Sequence, residues 1–285
     1  IGIKEKKESK QRNMNLNNLS NLFVYFSIFI LAINLVLFSI SLTQNKKSKI
    51  TNVAMSLTWL IGLFLVIALI LRGIAAQRAP WGNMYEFAVS SVTAVILTFI
   101  IVSTKKNIQW LGIFITVPSI ILLGLAVIVL YTESGPLVPA LKSTWLWIHV
   151  SSAIISYGAF SLNFGLSIIY LLKKKNKLKS LPSLDRIDDF SYKVVLFAFP
   201  IWTFSVISGA VWAENAWGRY WGWDPKETWA FITWIIYAAY LHSRVTIGWK
   251  GTKSAWLGIA GYTAIIFNFF VINIWVTGLH SYAGI

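Results

Sequence analysis

Apolar residues fill most of this chain in stretches of about twenty, broken by short polar or basic gaps, and a helix of about that length crosses the roughly 30 Å hydrocarbon core of a bilayer. Lipid offers no partner to backbone N–H and C=O groups, so such runs are read as helices that satisfy their own backbone. Eight stretches qualify: Asn21–Thr43, Ala54–Leu71, Glu86–Thr104, Trp110–Tyr131, Trp145–Leu172, Phe190–Ala213, Thr228–Ile247 and Ala255–Leu279. The pattern predicts an all-α integral membrane protein, a polytopic bundle of about eight transmembrane helices with an external tryptophan-rich loop. The first span is too long for a signal-peptide core and lacks a small-residue cleavage site, which predicts a retained helix. Three segments follow: a basic N-terminal stretch over 1–20, the first two transmembrane helices over 21–72, and a six-helix core over 73–285 that contains the aromatic loop 212–234.

Composition agrees with lipid as the main solvent. Of 285 residues 56% are hydrophobic and only 12% charged, about half the share usual in soluble domains. The absence of cysteine excludes a disulfide framework, Cys-ligated zinc or iron–sulfur centres, a thiol nucleophile and covalent haem attachment to this chain. A net charge of +15 raises nucleic acid as a partner, but the basic residues sit in short gaps between apolar runs. They are read as topology determinants meeting anionic membrane lipid, with no nucleic acid expected. The loops after the first, third, fifth and seventh spans hold fifteen Lys and Arg and the alternate loops five. This places the 212–234 loop outside. Lys4, Lys6, Lys7, Lys10 and Arg12 run against that count, and the loops outweigh them.

Six of the fifteen tryptophans fall between Trp212 and Trp234. An interfacial belt needs one or two rings per helix end. Trp217, Trp221 and Trp223, set among glycines that allow close backbone approach, are read instead as a surface for a large flat partner. Tyr220 and Trp229 belong to the same run, and Arg219 and Lys226 are placed to meet acidic groups at that partner's rim. Asp224 before Pro225, with Glu227 following, reads as the start of the seventh helix.

The chain has three histidines, and ionisable residues within a membrane are costly enough to be informative. His149 near the outer start of the fifth helix and His280 after the eighth should both flank the tryptophan loop. Two neutral imidazoles offered from separate helices to one aromatic surface suit axial ligation of haem iron. His242 lies thirteen residues beyond Trp229 on one helix, roughly 20 Å deeper. It is either an inner haem station completed by another chain or an interfacial histidine beside Arg244.

The run Trp217-Gly-Arg219-Tyr220-Trp221-Gly-Trp223-Asp224-Pro-Lys226-Glu227-Thr-Trp229, continuing through Trp234 to Tyr240-Leu-His242-Ser-Arg244, closely resembles the WWD signature of the CcsA/ResC cytochrome c biogenesis proteins of system II. Trp145–Tyr157 around His149, Leu279-His280-Ser-Tyr282 and Pro80-Trp-Gly-Asn83-Met-Tyr85-Glu86-Phe87 extend the likeness from about residue 78 onward. The resemblance implies a haem-handling subunit of a cytochrome c synthetase, acting with a CcsB/ResB-type membrane partner and presenting haem b to apocytochrome c. It implies His149 and His280 as external axial ligands of the haem iron and His242 as an intramembrane ligand paired with a partner histidine. The WWD surface would comprise Trp212, Trp217, Arg219, Tyr220, Trp221, Trp223, Asp224, Lys226 and Trp229. In the family the haem vinyl groups join the two thiols of a Cys-x-x-Cys-His segment in the client, a component of holocytochrome c synthesis in which no classical acid or base is expected of this chain. The expected membrane is the bacterial plasma membrane, with the plastid thylakoid as the alternative. Two further readings are a haem exporter that delivers to a separate synthase, and a transporter or structural subunit without haem. Against the last, no acidic residue stands deep within a span.

Overall fold

The structure, a computed structural model, describes residues 2–43, 49–135, 137, 139–175 and 181–280. Lys46, Lys47, Lys177 and Lys179 of the loop count, and Ser281 and Tyr282 of the terminal motif, lie outside the described residues. Eight long helices follow one another: α1 (Gly2–Thr43), α2 (Lys49–Ala76), α3 (Met84–Lys105), α4 (Gly112–Ile128), α5 (Thr144–Lys174), α6 (Leu184–Trp217), α7 (Pro225–Thr246) and α8 (Thr252–Phe267). A π-helical turn (Asn268–Ile272) and a short α9 (Asn273–Trp275) continue α8. No strand occurs among the described residues, and the all-α integral membrane architecture is as the sequence predicts.

Among the described residues, seven helices are long and apolar enough to cross a bilayer. The stretch expected as the seventh span forms α7, 22 residues long and sufficient in length, but its composition falls short of the others. The reason lies in its polar side chains, which include Lys226, Glu227, His242, Ser243 and Arg244.

The chain divides into two compact units, one built on α1–α4 and the other on α5–α9. In the first, α1 runs unbroken for 42 residues, about 63 Å, so the basic residues expected as a separate N-terminal stretch continue the helix. Hydrogen bonds from Ser20 to the Ala68 carbonyl (2.8 Å) and from Asn34 to Thr58 (3.1 Å) tie α1 to α2, as small polar side chains do between membrane helices. Asn83 caps α3 by accepting from the Glu86 N–H at 2.9 Å. The fully buried Glu86 carboxylate receives Arg72 at 3.0 Å, Arg78 at 2.7 Å and the Gly82 N–H at 2.7 Å. Arg72 also lies over the Tyr85 ring, 4.5 Å from its centre.

In the second unit α5 packs along α6, and α8 rests on both α5 and α7. Aromatic side chains in contact fill its middle: Phe160 stacked on Tyr237 (ring centres 3.7 Å, planes 12° apart), and the tilted pairs Phe164–Tyr262 (4.9 Å) and Tyr157–Trp202 (5.3 Å). At one end, Asp188 of α6 binds Arg244 of α7 through both carboxylate oxygens, at 2.8 and 2.7 Å, and accepts the Gly251 N–H at 2.8 Å. This fork fixes the C-terminal end of α7 and the turn into α8. Apart from His242, the candidate functional residues gather at the other end.

Candidate functional site

Two helix ends frame the site. α6 stops at Gly218, which takes a left-handed conformation (φ +72°) and closes the helix through an N–H to the Glu214 carbonyl at 2.8 Å, the usual role of glycine at this position. α7 then starts with a capping box: Asp224 accepts from the Lys226 N–H, Pro225 takes the first turn, and the Glu227 carboxylate accepts from the Asp224 N–H at 3.0 Å. Glu227 also accepts from the Gly222 N–H at 2.9 Å. The capping box thus ties down the end of the loop that enters α7, as Gly218 does the end that leaves α6. Between these anchors Trp223 adopts φ +56°, a left-handed backbone that a bulky residue rarely accepts.

Asp224 does more than cap. Its Oδ1 accepts the Leu279 N–H at 2.6 Å, and its Oδ2 lies 2.8 Å from Nδ1 of His280. The chain reaches this point because the π-helical turn and α9 bring it back beside the first turn of α7, where Lys226 Nζ donates to Asn273 (2.5 Å) and Asn268 donates to the Lys226 carbonyl (3.3 Å). Gly278 permits the approach, since a Cβ there would stand 2.6 Å from Asp224 Oδ1. Burial opposes the Asp224 charge, but the hydrogen bonds from His280, Leu279 and Lys226 outweigh it and hold the pKa below the usual carboxylate value. Burial lowers the His280 pKa more than the Asp224 carboxylate raises it. The pair is therefore a carboxylate accepting from a neutral imidazole at pH 7, with the ring proton on Nδ1 and the lone pair on Nε2.

His149 reaches the same state by another route. Its Nδ1 sits 2.8 Å from the carbonyl oxygen of Ser205 on α6. A carbonyl only accepts, so Nδ1 carries the hydrogen and Nε2 the lone pair. The Ser205 hydroxyl donates back to the His149 carbonyl at 3.1 Å. The ring lies flush against α6 because Gly209 has no Cβ; one there would stand 2.7 Å from Nδ1.

The two histidines meet around one indole. Trp212, 3% exposed, stacks on His149 (centres 6.0 Å, planes 12° apart) and meets His280 edge-on at 5.6 Å. Trp217 contacts both Trp212 and His280, each at 4.9 Å. Trp221 and Trp223, expected on the same surface as Trp217, form a second group: they pack edge-on at 5.7 Å and each lies 6.3 Å from Phe231. Trp229 turns away to Phe267, at 4.1 Å. Arg219 and Tyr220 are exposed, and the Arg219 guanidinium folds over Gly222. Lys226 points to Asn273 and not outward. His242 is exposed near the other end of α7, apart from this group.

Sequence reasoning did not single out Ser205, Gly209, Gly278 or Asn273. A signal for the first two was present: Ser205, Gly209 and Trp212 follow at i, i+4 and i+7 on one face of α6, two small residues leading to a tryptophan, which is the footprint of a ring lying across a helix.

A family model described as "Cytochrome C assembly protein" matches residues 81–280. A cytochrome c biogenesis protein CcsA from Guillardia theta is 34% identical over 278 residues, covering 88% of this chain and 92% of the relative. One from Prochlorococcus marinus is 36% identical over 275 residues, covering 84% and 85%. Among solved structures, cytochrome c heme lyase CcmF superposes with a TM-score of 0.68 at 16% identity, over 89% of this chain and 46% of that one; the likeness is one of fold, and the chain spans less than half of CcmF's length. With its 200-residue match, its relatives and its membrane helices, the chain belongs to the cytochrome c assembly family as a CcsA-type biogenesis protein, an integral membrane protein with a haem-handling role in cytochrome c maturation.

Proposed function

We propose that this chain binds haem b as substrate between His149 and His280 and presents it for thioether attachment to the Cys-x-x-Cys-His segment of apocytochrome c. The observation that carries the reading is the matched state of the two imidazoles. Each spends its Nδ1 hydrogen on an oxygen, the Ser205 carbonyl or the Asp224 carboxylate, and so keeps Nε2 as the lone-pair nitrogen. An oxygen behind a ligating histidine fixes the tautomer, orients the ring and raises its basicity. Both arrangements meet around one indole, Trp212.

The chain's contribution is to hold. The Trp212, Trp217 and His280 rings touch at centre distances of 4.9 to 5.6 Å, which leaves no room for a macrocycle between them, so Trp212 and Trp217 swing aside on loading and then cover its faces. The carbon–sulfur bonds form when each client S–H adds across a vinyl C=C, sulfur to one carbon and hydrogen to the other, with no net oxidation. Fixing the vinyl groups beside the thiols makes this a reaction between oriented neighbours, for which effective molarities of about 10⁵ M are attainable. The client histidine then displaces one axial imidazole and begins release.

His242 serves in this reading as an inner station, its second ligand supplied by a CcsB/ResB-type subunit; its exposure on α7 supports a site completed from outside the chain. The loop count supports an extracytoplasmic position for the tryptophan loop, in a bacterial plasma membrane or a plastid thylakoid. The test is an absorption spectrum of the chain purified with its partner. Low-spin bis-imidazole bands weakened or lost in both His149→Ala and His280→Ala are expected; an unchanged spectrum in both variants removes the site.

A further inference from the structure

α7 buries Thr233, Tyr237, Tyr240 and Ser243 against its neighbours. Directly opposite, Phe231, Ile235, Ala238 and His242 recur at i, i+4, i+7 and i+11 and form one outward stripe. Ile235 is 47% exposed and His242 is exposed. The polar side chains that set α7 apart from the other long helices lie at its two ends, so the stripe from Phe231 to Ala238 is apolar until it meets His242.

The stripe runs into a ladder of rings. Trp234 stacks on Phe231 with centres 6.0 Å apart and planes within 8°, and Phe199 of α6 joins it at 5.5 Å. Trp234 is held in place by its Nε1–H, which donates to Thr203 at 2.9 Å. Phe231 then leads to Trp221 and Trp223. This second aromatic group has no part in the His149–His280 cluster, yet it joins the loop to the face that carries His242. Across the middle of the unit, Phe160–Tyr237, Phe164–Tyr262 and Tyr157–Trp202 stand in ring contact. A macrocycle could cross there only by unpacking a core of near-crystalline density.

We propose that haem moves between His242 and the tryptophan loop along the outward face of α7, over Ala238 and Ile235 and onto Phe231, Trp234, Trp221 and Trp223, and not through the centre of the bundle. The inference rests on the reading of both histidine stations as haem sites. From His242 to Phe231 is about 16 Å along the axis, and Ala238 keeps that interval low and smooth. The ladder above offers successive flat faces to a flat ligand. Trp223, 66% exposed on a left-handed backbone, holds its ring out where the lane meets the loop.

Ala238→Trp obstructs the lane, and Ile235→Trp does so one turn closer to the loop with little change in apolarity. Full-length chain and partner are purified from haem-replete cells, and haem per chain is measured as the pyridine haemochrome, with and without His149→Ala/His280→Ala to isolate the outer share. Both tryptophan variants are expected to lose the outer share and keep the haem that depends on His242; haemin added to the solubilised protein should restore the bis-imidazole spectrum, because the outer site itself is intact. An outer share at the parental level in both variants overturns the proposal. So does failure of added haemin to restore it, since the substitutions then act on the site. Loss of the partner on purification with outer haem unchanged also overturns it, by assigning the face to a partner helix. A parent chain with no haem dependent on His149 and His280 removes the site reading instead, and that is visible before any α7 variant is made.

Discussion

Replacing Gly209 by alanine changes one hydrogen atom to a methyl group, at a point where the consequence can be worked out. The new Cβ would stand 2.7 Å from Nδ1 and 2.8 Å from Cε1 of His149, so the imidazole must retreat by about 0.7 Å to regain ordinary contact. The same motion stretches the 2.8 Å hydrogen bond to Ser205 to the edge of its range. A lost hydrogen bond costs about 0.5–1.5 kcal/mol, and overpacking of this kind costs roughly 1–3 kcal/mol. Disturbing the group behind a metal-ligating histidine typically weakens binding about 10–100-fold. Working the other way, alanine favours helix over glycine by up to about 1 kcal/mol, so generic loss of α6 is not the cause of any weakening. Haem titration of the purified full-length chain, followed by absorbance, is expected to show affinity reduced at least about tenfold, near 1.4 kcal/mol, with the melting temperature lowered by only a few degrees. In a His149→Ala background, where no ring is left to displace, Gly209→Ala should add almost nothing, and this double-mutant comparison isolates the contact. Undiminished affinity and an unaltered spectrum in Gly209→Ala would refute the placement of His149 as a ligand lying on α6.

Acidification should act through His280. Its pKa is lowered in the folded protein, so the unfolded chain takes up the proton first, and the stabilisation is complete above about pH 6.5 and withdrawn as pH falls below it. Thermal melts from pH 7 to 5 should therefore be less steep with pH in His280→Gln than in the parent, and equal slopes would show that the ring is not held neutral. Trp212→Ala should cost about 3–5 kcal/mol, as for a fully buried aromatic. Trp223→Gly, which removes an exposed ring from a left-handed backbone, should leave stability unchanged or raise it by up to about 1 kcal/mol while weakening haem retention; equal destabilisation by the two, read from melts in detergent, would contradict the separate placing of these rings. Glu86→Gln strands Arg72 and Arg78 without their shared carboxylate, and a loss of about 3–5 kcal/mol is expected. Yield of folded protein in the membrane fraction would report it, and a normal yield and melt would argue against the buried cluster.

Hydropathy alone located every long helix, because a run of about twenty apolar residues has no other way to satisfy its backbone in lipid. It was least informative for the ends. Nothing in the polar, Asn-rich stretch before Asn21 signals that α1 continues through it, and a tie that holds the extension, Asn17 accepting from Ser134 at 2.8 Å, joins residues far apart in sequence. The start of α7 was legible because Asp-Pro-x-Glu is a local signal. The further duty of Asp224, as acceptor for Leu279 and His280, was not, since those partners lie 55 and 56 residues away. For the same reason Trp217, Trp221 and Trp223 read as one surface on spacing, whereas Gly218 and the capping box turn the chain so that they part into two groups. What remained hidden was placed by contacts between distant segments.

A single carboxylate both begins α7 and steers His280. When that imidazole is pulled from Asp224 by a competing ligand, the oxygen it vacates still faces the Lys226 amide while its neighbour holds the Leu279 amide, so the disturbance is delivered to a helix terminus. In the proposed haem site, ligand exchange at His280 and the seating of a 22-residue helix are thereby geared together, and His242 lies seventeen positions along that same helix.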